Sequence, residues 1–229
     1  MTTQAVDSMK PELSLVTLRA EAADFTKVEC EHDEPSLYGV TDGKAVGTYL
    51  EHKFISYLMD KYSFAGGNSA LGIDIPTLGV DIKVTSAKQP QSSCPYRSAR
   101  QKIYGLGYHL IIFVYDKSDN TETRTSRLTM SHTIFVDAAQ TADYQTTNGL
   151  IGILERNGNK DDILAFIEER HLPVDEIEAN NIADEVLKNR PKQGYLTISN
   201  ALQWRLQYGR VIASAGEVAG IYRIYPHES

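Results

Sequence analysis

The sequence has little cysteine and no long apolar run, and both shortages limit the classes of protein to which it can belong. Cys30 and Cys94 are the only cysteines among 229 residues, too few for a disulfide framework or a cysteine-based zinc cluster. No run of 18 apolar residues is present, so no transmembrane helix is expected. The first 12 residues are polar and lack the apolar core of a secretory signal. We therefore expect a protein of the reducing cytoplasm with no membrane partner.

Positive charge is also scarce. The net charge of -7 by itself argues against a nucleic-acid partner. Its distribution argues the other way, because residues 82–115 contain no Asp or Glu but carry Lys83, Lys88, Arg97, Arg100 and Lys102. A locally basic segment favours contact with a phosphate backbone. The alternative is chance clustering around a buried strand.

Two short β-strands joined by a tight turn are predicted near the start of this segment. β-branched residues alternate with polar ones in residues 73–75 and 80–85, which is the period of a strand. The residues between them begin with Pro76 and end with Gly79, both typical of turns. The pattern therefore predicts a hairpin in which residue 75 faces residue 80.

This hairpin would place Asp74 opposite Asp81, with Cβ atoms about 5 Å apart, and Lys83 on the same face. Opposed like charges are destabilising, and a hard divalent cation between the carboxylates is the simplest reason for the arrangement. The alternative is a solvated hairpin in which Lys83 bridges both carboxylates. For this spacing taken alone, the solvated hairpin is the better interpretation.

The segment upstream adds a third carboxylate. Residues 45–62 carry apolar side chains at the spacing of one helical face, and Glu51 borders that face. Its position allows two interpretations. Glu51 either points toward the same metal site, or it forms a capping box with Thr48 at the start of the helix.

Along the chain there follow in order a helix with Glu51, a Gly-rich turn, Asp74, a short hairpin and the triplet Asp81-Ile-Lys83. This arrangement resembles the PD-(D/E)xK nuclease superfamily, in particular the type II restriction endonucleases. The resemblance covers residues 47–83. It departs from the family pattern in two places. Isoleucine precedes the first Asp where the family name has proline, and the spacing between the two Asp residues is short.

The resemblance implies a Mg²⁺-dependent endonuclease of double-stranded DNA that leaves 5′-phosphate and 3′-hydroxyl ends. Asp74 and Asp81 would hold the metal, with Glu51 as a direct or water-mediated ligand. Lys83 would orient or deprotonate the attacking water and stabilise negative charge. A palindromic site would be matched by a two-fold symmetric homodimer.

The polar loop predicted over residues 86–97 follows the hairpin directly and is rich in side chains that contact bases or phosphates. Gln pairs with adenine, Arg with guanine, and Ser with phosphate oxygens. The candidate DNA-binding residues are Lys88, Gln89, Gln91, Ser92, Ser93, Tyr96 and Arg97, with Arg100 on a short helix over residues 98–105. An ordinary polar surface loop is the alternative.

The rest of the chain predicts an α/β fold, a mixed central β-sheet flanked by helices, with a C-terminal helical region. Residues 109–115 and 127–137 predict buried strands, and residues 218–225 a final strand. Residues 141–190 predict acidic helices, as a subdomain or insertion within a single nuclease domain spanning residues 1–229.

Residues 194–210 predict one more helix, with Gly209 at its end. This helix would either present Arg205 to a major groove or pack on the sheet. For the whole chain two other functions stay open: a structure-specific or repair nuclease of the same superfamily, and a non-catalytic DNA-binding protein.

Overall fold

The computed structural model describes residues 10–65, 67, 72–95, 97–199 and 204–226. The α-helices within them are α1 Leu15–Cys30, α2 Gly43–Lys61, α3 Arg100–Tyr104, α4 Tyr144–Glu155, α5 Lys160–Glu169, α6 Glu176–Lys188 and α7 Gly209–Ser214. The strands are β1 Asp33–Glu34, β2 Val80–Ser86, β3 Gln91–Cys94, β4 His109–Asn120, β5 Thr125–Val136, β6 Thr197–Ile198, β7 Trp204–Gln207 and β8 Ile221–Tyr225. None of these helices is long and apolar enough to cross a membrane.

The central sheet is mixed and has the strand order β1-β5-β4-β2, with β8 also paired to β5. Strand β2 runs parallel to β4, whereas β4 and β5 form a long antiparallel pair. The continuous apolar run at the start of β4 is buried, because helices and a second sheet cover its two faces. The predicted mixed sheet flanked by helices is thereby confirmed.

Helices α1 and α2 cover one face of the central sheet. Phe25 of α1, Phe54 of α2 and Phe113 of β4 form an aromatic cluster, with ring centroids between 4.9 and 5.9 Å apart. Burying one such side chain contributes roughly 1.5–3 kcal/mol. This packing fixes the rotation of α2 about its axis, and with it the direction of the Glu51 side chain.

Helix α2 begins at Gly43, two residues before the helix predicted over residues 45–62. Asp42 is the N-cap, and its carboxylate accepts a hydrogen bond from the Lys44 amide at 3.0 Å. Glu51 therefore lies in the middle of the helix, more than two turns beyond the cap. The capping box of Thr48 with Glu51 is wrong, since the true cap lies six residues earlier.

A second sheet of three antiparallel strands, in the order β3-β7-β6, packs against the opposite face. Two predictions are corrected here. Residues 91–94 form a strand instead of continuing the loop over residues 86–97, and residues 204–207 form a strand instead of helix. The buried Leu206 and Tyr208 alternate with the exposed Arg205 and Gln207, a period of two that fits only a strand. Residues 200–203 lie outside the described residues.

The acidic region predicted as helical is confirmed as α4, α5 and α6. These helices share an apolar cluster with α3 that includes Ile103, Leu150 and Ile182. Arg100 of α3 forms ion pairs with Glu178 and Glu185 of α6, the latter at 2.6 Å. The region is thus attached to the basic segment through charge as well as apolar packing. Its description as a subdomain or insertion stays a prediction.

We expect Glu34 of β1, which accepts a hydrogen bond from Tyr49 of α2, to make the stability of the fold depend on pH in the acid range. Burial alone would raise the pKa of Glu34, but hydrogen bonds from Ser36, His32 and Tyr49 outweigh it and lower the pKa from 4.5 to about 2. Between these two values the unfolded chain binds more protons than the folded one, so stability is complete above pH 4.5 and is lost as the pH falls toward 2.

Glu34→Gln should therefore lose less stability between about pH 5 and about pH 3 than the wild type does, by about 1–2 kcal/mol, since solvent screens a group this near the surface. Urea unfolding at several pH values measures the difference. Glu122→Gln, in an exposed turn, is the matched control and should follow the wild type. Parallel pH curves for Glu34→Gln and the wild type would contradict the interpretation.

Candidate active site

The predicted hairpin is present in a compact form. Ile75 pairs with Val80 in a single antiparallel bridge, and one 3₁₀ turn, Pro76–Leu78, joins them. Gly79 has a φ of 60°, in the left-handed region that glycine enters without strain. The turn thus sets the start of β2, the strand that carries the next two candidate residues.

Asp81 and Lys83 lie two residues apart on β2 and therefore share one face. The Asp81 Oδ2 and Lys83 Nζ atoms are 2.7 Å apart. Asp74 reaches the same place from the other side of the turn, where its Oδ2 accepts a hydrogen bond from the Ile82 amide at 2.6 Å. Asp74 contacts the side chains of both Glu51 and Asp81. The structure thus brings all four predicted residues together.

The crowding of these carboxylates changes their pKa values. Burial, together with the neighbouring Asp74, raises the pKa of Asp81 to about 7, although the Lys83 ammonium opposes the change. Burial and then Asp74 also raise the pKa of Glu51, against the opposing charges of Lys83 and His52. Burial would lower the pKa of Lys83, but the adjoining Asp81 and Asp74 outweigh it, and the pKa is raised. Three carboxyl groups thus share one internal cation, and the raised pKa values of Glu51 and Asp81 reflect this crowding together with burial.

Carboxylate oxygen donors suit a hard divalent cation. In the part of the chain that the structure describes, no three Asp, Glu, His or Cys side chains form a complete metal cage. Such a cage is not required for Mg²⁺, which commonly takes one or two carboxylates and completes its shell with water and phosphate. Asp74 and Asp81, with Glu51 beside them, fit that limited role.

Gly67 packs against the backbone of Asp74, and the sequence analysis did not identify this residue. Its amide donates to the Asp74 carbonyl at 2.8 Å. A Cβ atom at this position would lie 2.4 Å from the Ile73 carbonyl oxygen and 2.9 Å from that of Asp74. Only glycine permits this approach, because both contacts are with backbone that has little room to move.

Gly67→Ala should therefore lower the cleavage rate by about 10- to 100-fold without removing any functional group, because displacement of a reactive group by about 1 Å has effects of this size. Steady-state cleavage measures the change. Gly152→Ala is a suitable control: Gly152 lies in α4 without a positive φ, and the nearest atom to a Cβ there is at the end of the flexible Arg156 side chain, at 3.4 Å. Equal rates for Gly67→Ala and Gly152→Ala would contradict the role of Gly67.

The candidate DNA-binding residues fall into three groups. Lys88, Gln89 and Arg97 are exposed near the ends of β2 and β3. The strand residues Gln91 and Ser93 project outward beside Arg205, whereas Ser92 projects inward and hydrogen-bonds Tyr208 at 2.5 Å. Arg100 is turned toward α6, so we do not include it in a DNA surface. Tyr96 lies outside the described residues.

One further contact near the site, between Tyr108 and Cys94, was not indicated by any sequence pattern. The Tyr108 hydroxyl lies 3.8 Å from the Cys94 sulfur, and the charge of Asp81 acts on both groups. Burial raises the pKa of the Cys94 thiol, so it stays protonated. This contact joins the end of β3 to the residue before β4, 14 residues further along the chain.

Comparison with known proteins identifies the family. A family model described as type II restriction enzyme NspV matches residues 12–223. The chain is 63% identical over 213 residues to the type II restriction enzyme NspV of Nostoc sp. (strain ATCC 29411 / PCC 7524), covering 93% of this chain and 97% of that protein. No solved structure matches the chain. With a family match over nearly the whole chain and this level of identity, the chain belongs to the NspV family of type II restriction enzymes.

Proposed function

We propose that this chain is a Mg²⁺-dependent, sequence-specific endonuclease of double-stranded DNA whose active site is formed by Glu51, Asp74, Asp81 and Lys83. Membership of the restriction enzyme family supports the substrate and the reaction class. The observation that carries the site assignment is the convergence of three carboxylates and one ammonium group at the start of β2.

The residues of the chain divide the chemistry between them. Hydrolysis adds the oxygen of a water molecule to phosphorus and breaks the bond to the 3′ oxygen, which takes up a proton. The raised pKa of Lys83 keeps its amine protonated, so Lys83 would donate hydrogen bonds that orient the water and stabilise the charge developing on the phosphate. This supports orientation over proton abstraction for Lys83. Asp81 fixes its ammonium group by the 2.7 Å contact.

Asp74 and Asp81 would hold the metal ion, and Glu51 would act as a third, direct or water-mediated ligand. Type II restriction enzymes generally need a divalent metal ion, and Mg²⁺ fits a site made of oxygen donors. When bound, it would polarise the scissile phosphate and make water a better nucleophile.

Incubation of DNA with the purified protein in Mg²⁺, in Ca²⁺ or in EDTA tests the assignment. We expect cleavage in Mg²⁺ and none in EDTA. The fragments should be rejoined by DNA ligase, which requires the 5′-phosphate and 3′-hydroxyl ends that this reaction leaves. Equal cleavage in EDTA would refute the metal-dependent site, and fragments that ligase cannot join would refute the direction of bond cleavage.

We propose further that two chains act together as a homodimer in the cytoplasm. Each chain supplies one Asp74–Asp81–Lys83 site, so cutting both strands of a palindromic sequence in one binding event takes two chains related by two-fold symmetry. Sedimentation of the protein with a duplex carrying the site should give a 2:1 complex. A 1:1 complex that cuts both strands would contradict the dimer.

A further inference from the structure

We propose that the outward face of the β3-β7-β6 sheet enters the DNA major groove and reads base edges there, with Arg205 and Gln207 as specificity-determining residues. This inference depends on the proposed function, since it assigns the surface by which that same enzyme selects its sequence. Three features of the sheet support this role: its strand register, the chemistry of its outward side chains and its attachment to β2, the strand that carries Asp81 and Lys83.

Strand register aligns the outward side chains in two rows. Gln91 pairs with Gln207, which pairs in turn with Thr197, and these three residues form the first row. Ser93 beside Arg205 forms the second. Neighbouring strands lie about 4.8 Å apart, and residues two apart on a strand are separated by about 6.7 Å. The distance between rows is thus close to twice the base-pair rise of about 3.4 Å, so the rows are spaced for base pairs two steps apart.

The two faces of this sheet differ in character. The inward face is mostly apolar and buried, formed by Cys94, Ile198, Leu206 and, just beyond β7, Tyr208, to which the inward Ser92 is hydrogen-bonded. The five outward residues carry amides, hydroxyl groups and one guanidinium, and none is acidic. Gln and Arg form the bidentate pairs that distinguish adenine and guanine in the major groove. That groove is about 12 Å wide and admits a two-stranded β-ribbon. Strands β3 and β7 form such an antiparallel pair.

Charge also favours DNA as the occupant of this face. Residues 191–229 carry four basic and two acidic residues, whereas residues 143–190 carry five basic and 11 acidic ones. An acidic protein surface would be repelled by the phosphate backbone. Strands β6 and β7 lie in the less acidic part, and β3 lies within residues 82–115, which contain no Asp or Glu. The phosphate backbone would therefore be repelled less by this face than by the helical region.

A short, well-bonded connection ties this sheet to the active site. Only residues 87–90 separate β2 from β3. The Thr85 hydroxyl, two residues beyond Lys83, accepts a hydrogen bond from the Gln91 amide at 2.9 Å. The Tyr208 amide donates to the Pro90 carbonyl at 2.9 Å. Bases read by this sheet would therefore have a fixed position relative to the phosphate beside Lys83.

The test compares wild type, Arg205→Ala, Gln207→Ala and the control Arg127→Ala, an exposed strand arginine that pairs with Asp33 on β1. After the cut sequence is read from cleaved phage DNA, kcat/KM is measured on that duplex and on every duplex with one base pair changed. Arg205→Ala and Gln207→Ala should each lose about 10- to 100-fold of discrimination, at one base pair each. Arg127→Ala should retain wild-type discrimination, and all variants should keep the wild-type melting temperature.

Two results would refute base reading by the β3-β7-β6 face while leaving the proposed function intact. One is wild-type discrimination in both variants. The other is a uniform loss of activity on all duplexes with a weaker salt dependence, which would indicate backbone contacts instead of base reading. Wild-type protein that leaves every DNA intact would overturn the proposed function, and this inference with it.

Discussion

Asp81→Asn is expected to lower the rate of DNA cleavage at least about 10³-fold while the protein stays folded. The substitution keeps the shape of the side chain but removes the negative charge that would hold both the metal ion and the Lys83 ammonium, and each of these contributes several kcal/mol to transition-state stabilisation. Single-turnover cleavage measures the loss.

The matched control is Asp24→Asn on the exposed side of α1, where the carboxylate is 63% exposed and pairs with Lys27. This variant should cleave as the wild type does. Because burial and Asp74 disfavour the charged form of Asp81, the melting temperature of Asp81→Asn should equal or exceed that of the wild type. Cleavage by Asp81→Asn at the rate of Asp24→Asn would show that the active site lies elsewhere.

Lys83→Ala should lower the cleavage rate by about 10²- to 10⁴-fold, the range for loss of a positioned group that handles protons or charge in the transition state. KM should change less than kcat, because Lys83 is largely buried beside Asp81 and would act on the reacting phosphate more than on DNA binding. Lys83→Arg should not restore the rate, since the planar guanidinium cannot take the place of a compact ammonium group.

Lys27→Ala provides the control for this series, because Lys27 is exposed on α1 and lies three residues from its partner Asp24. It removes one positive charge without touching the site. If Lys83→Ala raised KM alone and left kcat unchanged, Lys83 would be a DNA-binding residue, and the role proposed for it in orienting water would be wrong.

The hairpin that carries Asp74 and Asp81, and helix α2, could be predicted because their signals are local. Alternation over residues 80–85 gives β2, and the apolar spacing over residues 45–62 gives α2. The resemblance to PD-(D/E)xK nucleases and type II restriction enzymes rested on these two elements, and the family comparison confirms the restriction enzyme assignment. The same short segment therefore sufficed for both the fold class and the reaction class.

The second sheet could not be predicted, because β3 and β7 pair across more than 100 residues. The sequence Gln91-Ser-Ser-Cys94 has no β-branched residue, and it is a strand because β7 and the buried Tyr208 complete it. In residues 194–210, leucines four residues apart mimicked a helix, and Gly209 begins α7 instead of ending a helix. Long-range pairing overrode local pattern in both places.

The basic segment shows a different limit of sequence reasoning. Its five cations do not form one phosphate-binding track. Lys83 belongs to the candidate active site, Arg100 pairs with α6, and Lys102 is only 2% exposed. Lys88 and Arg97 alone among the five are exposed. The net charge of a segment cannot tell exposed cations from buried or ion-paired ones, because burial and ion-pair partners are fixed only when the chain folds.

The most direct test of the central claim is digestion of phage and plasmid DNA by the purified protein, with Mg²⁺ or with EDTA, followed by sequencing of the fragment ends. We expect discrete fragments in Mg²⁺ alone, all sharing one sequence at their ends, and no fragments from Asp81→Asn. A smear without a common end sequence, or DNA that stays intact with every divalent ion, would contradict a sequence-specific endonuclease built on Asp74, Asp81 and Lys83.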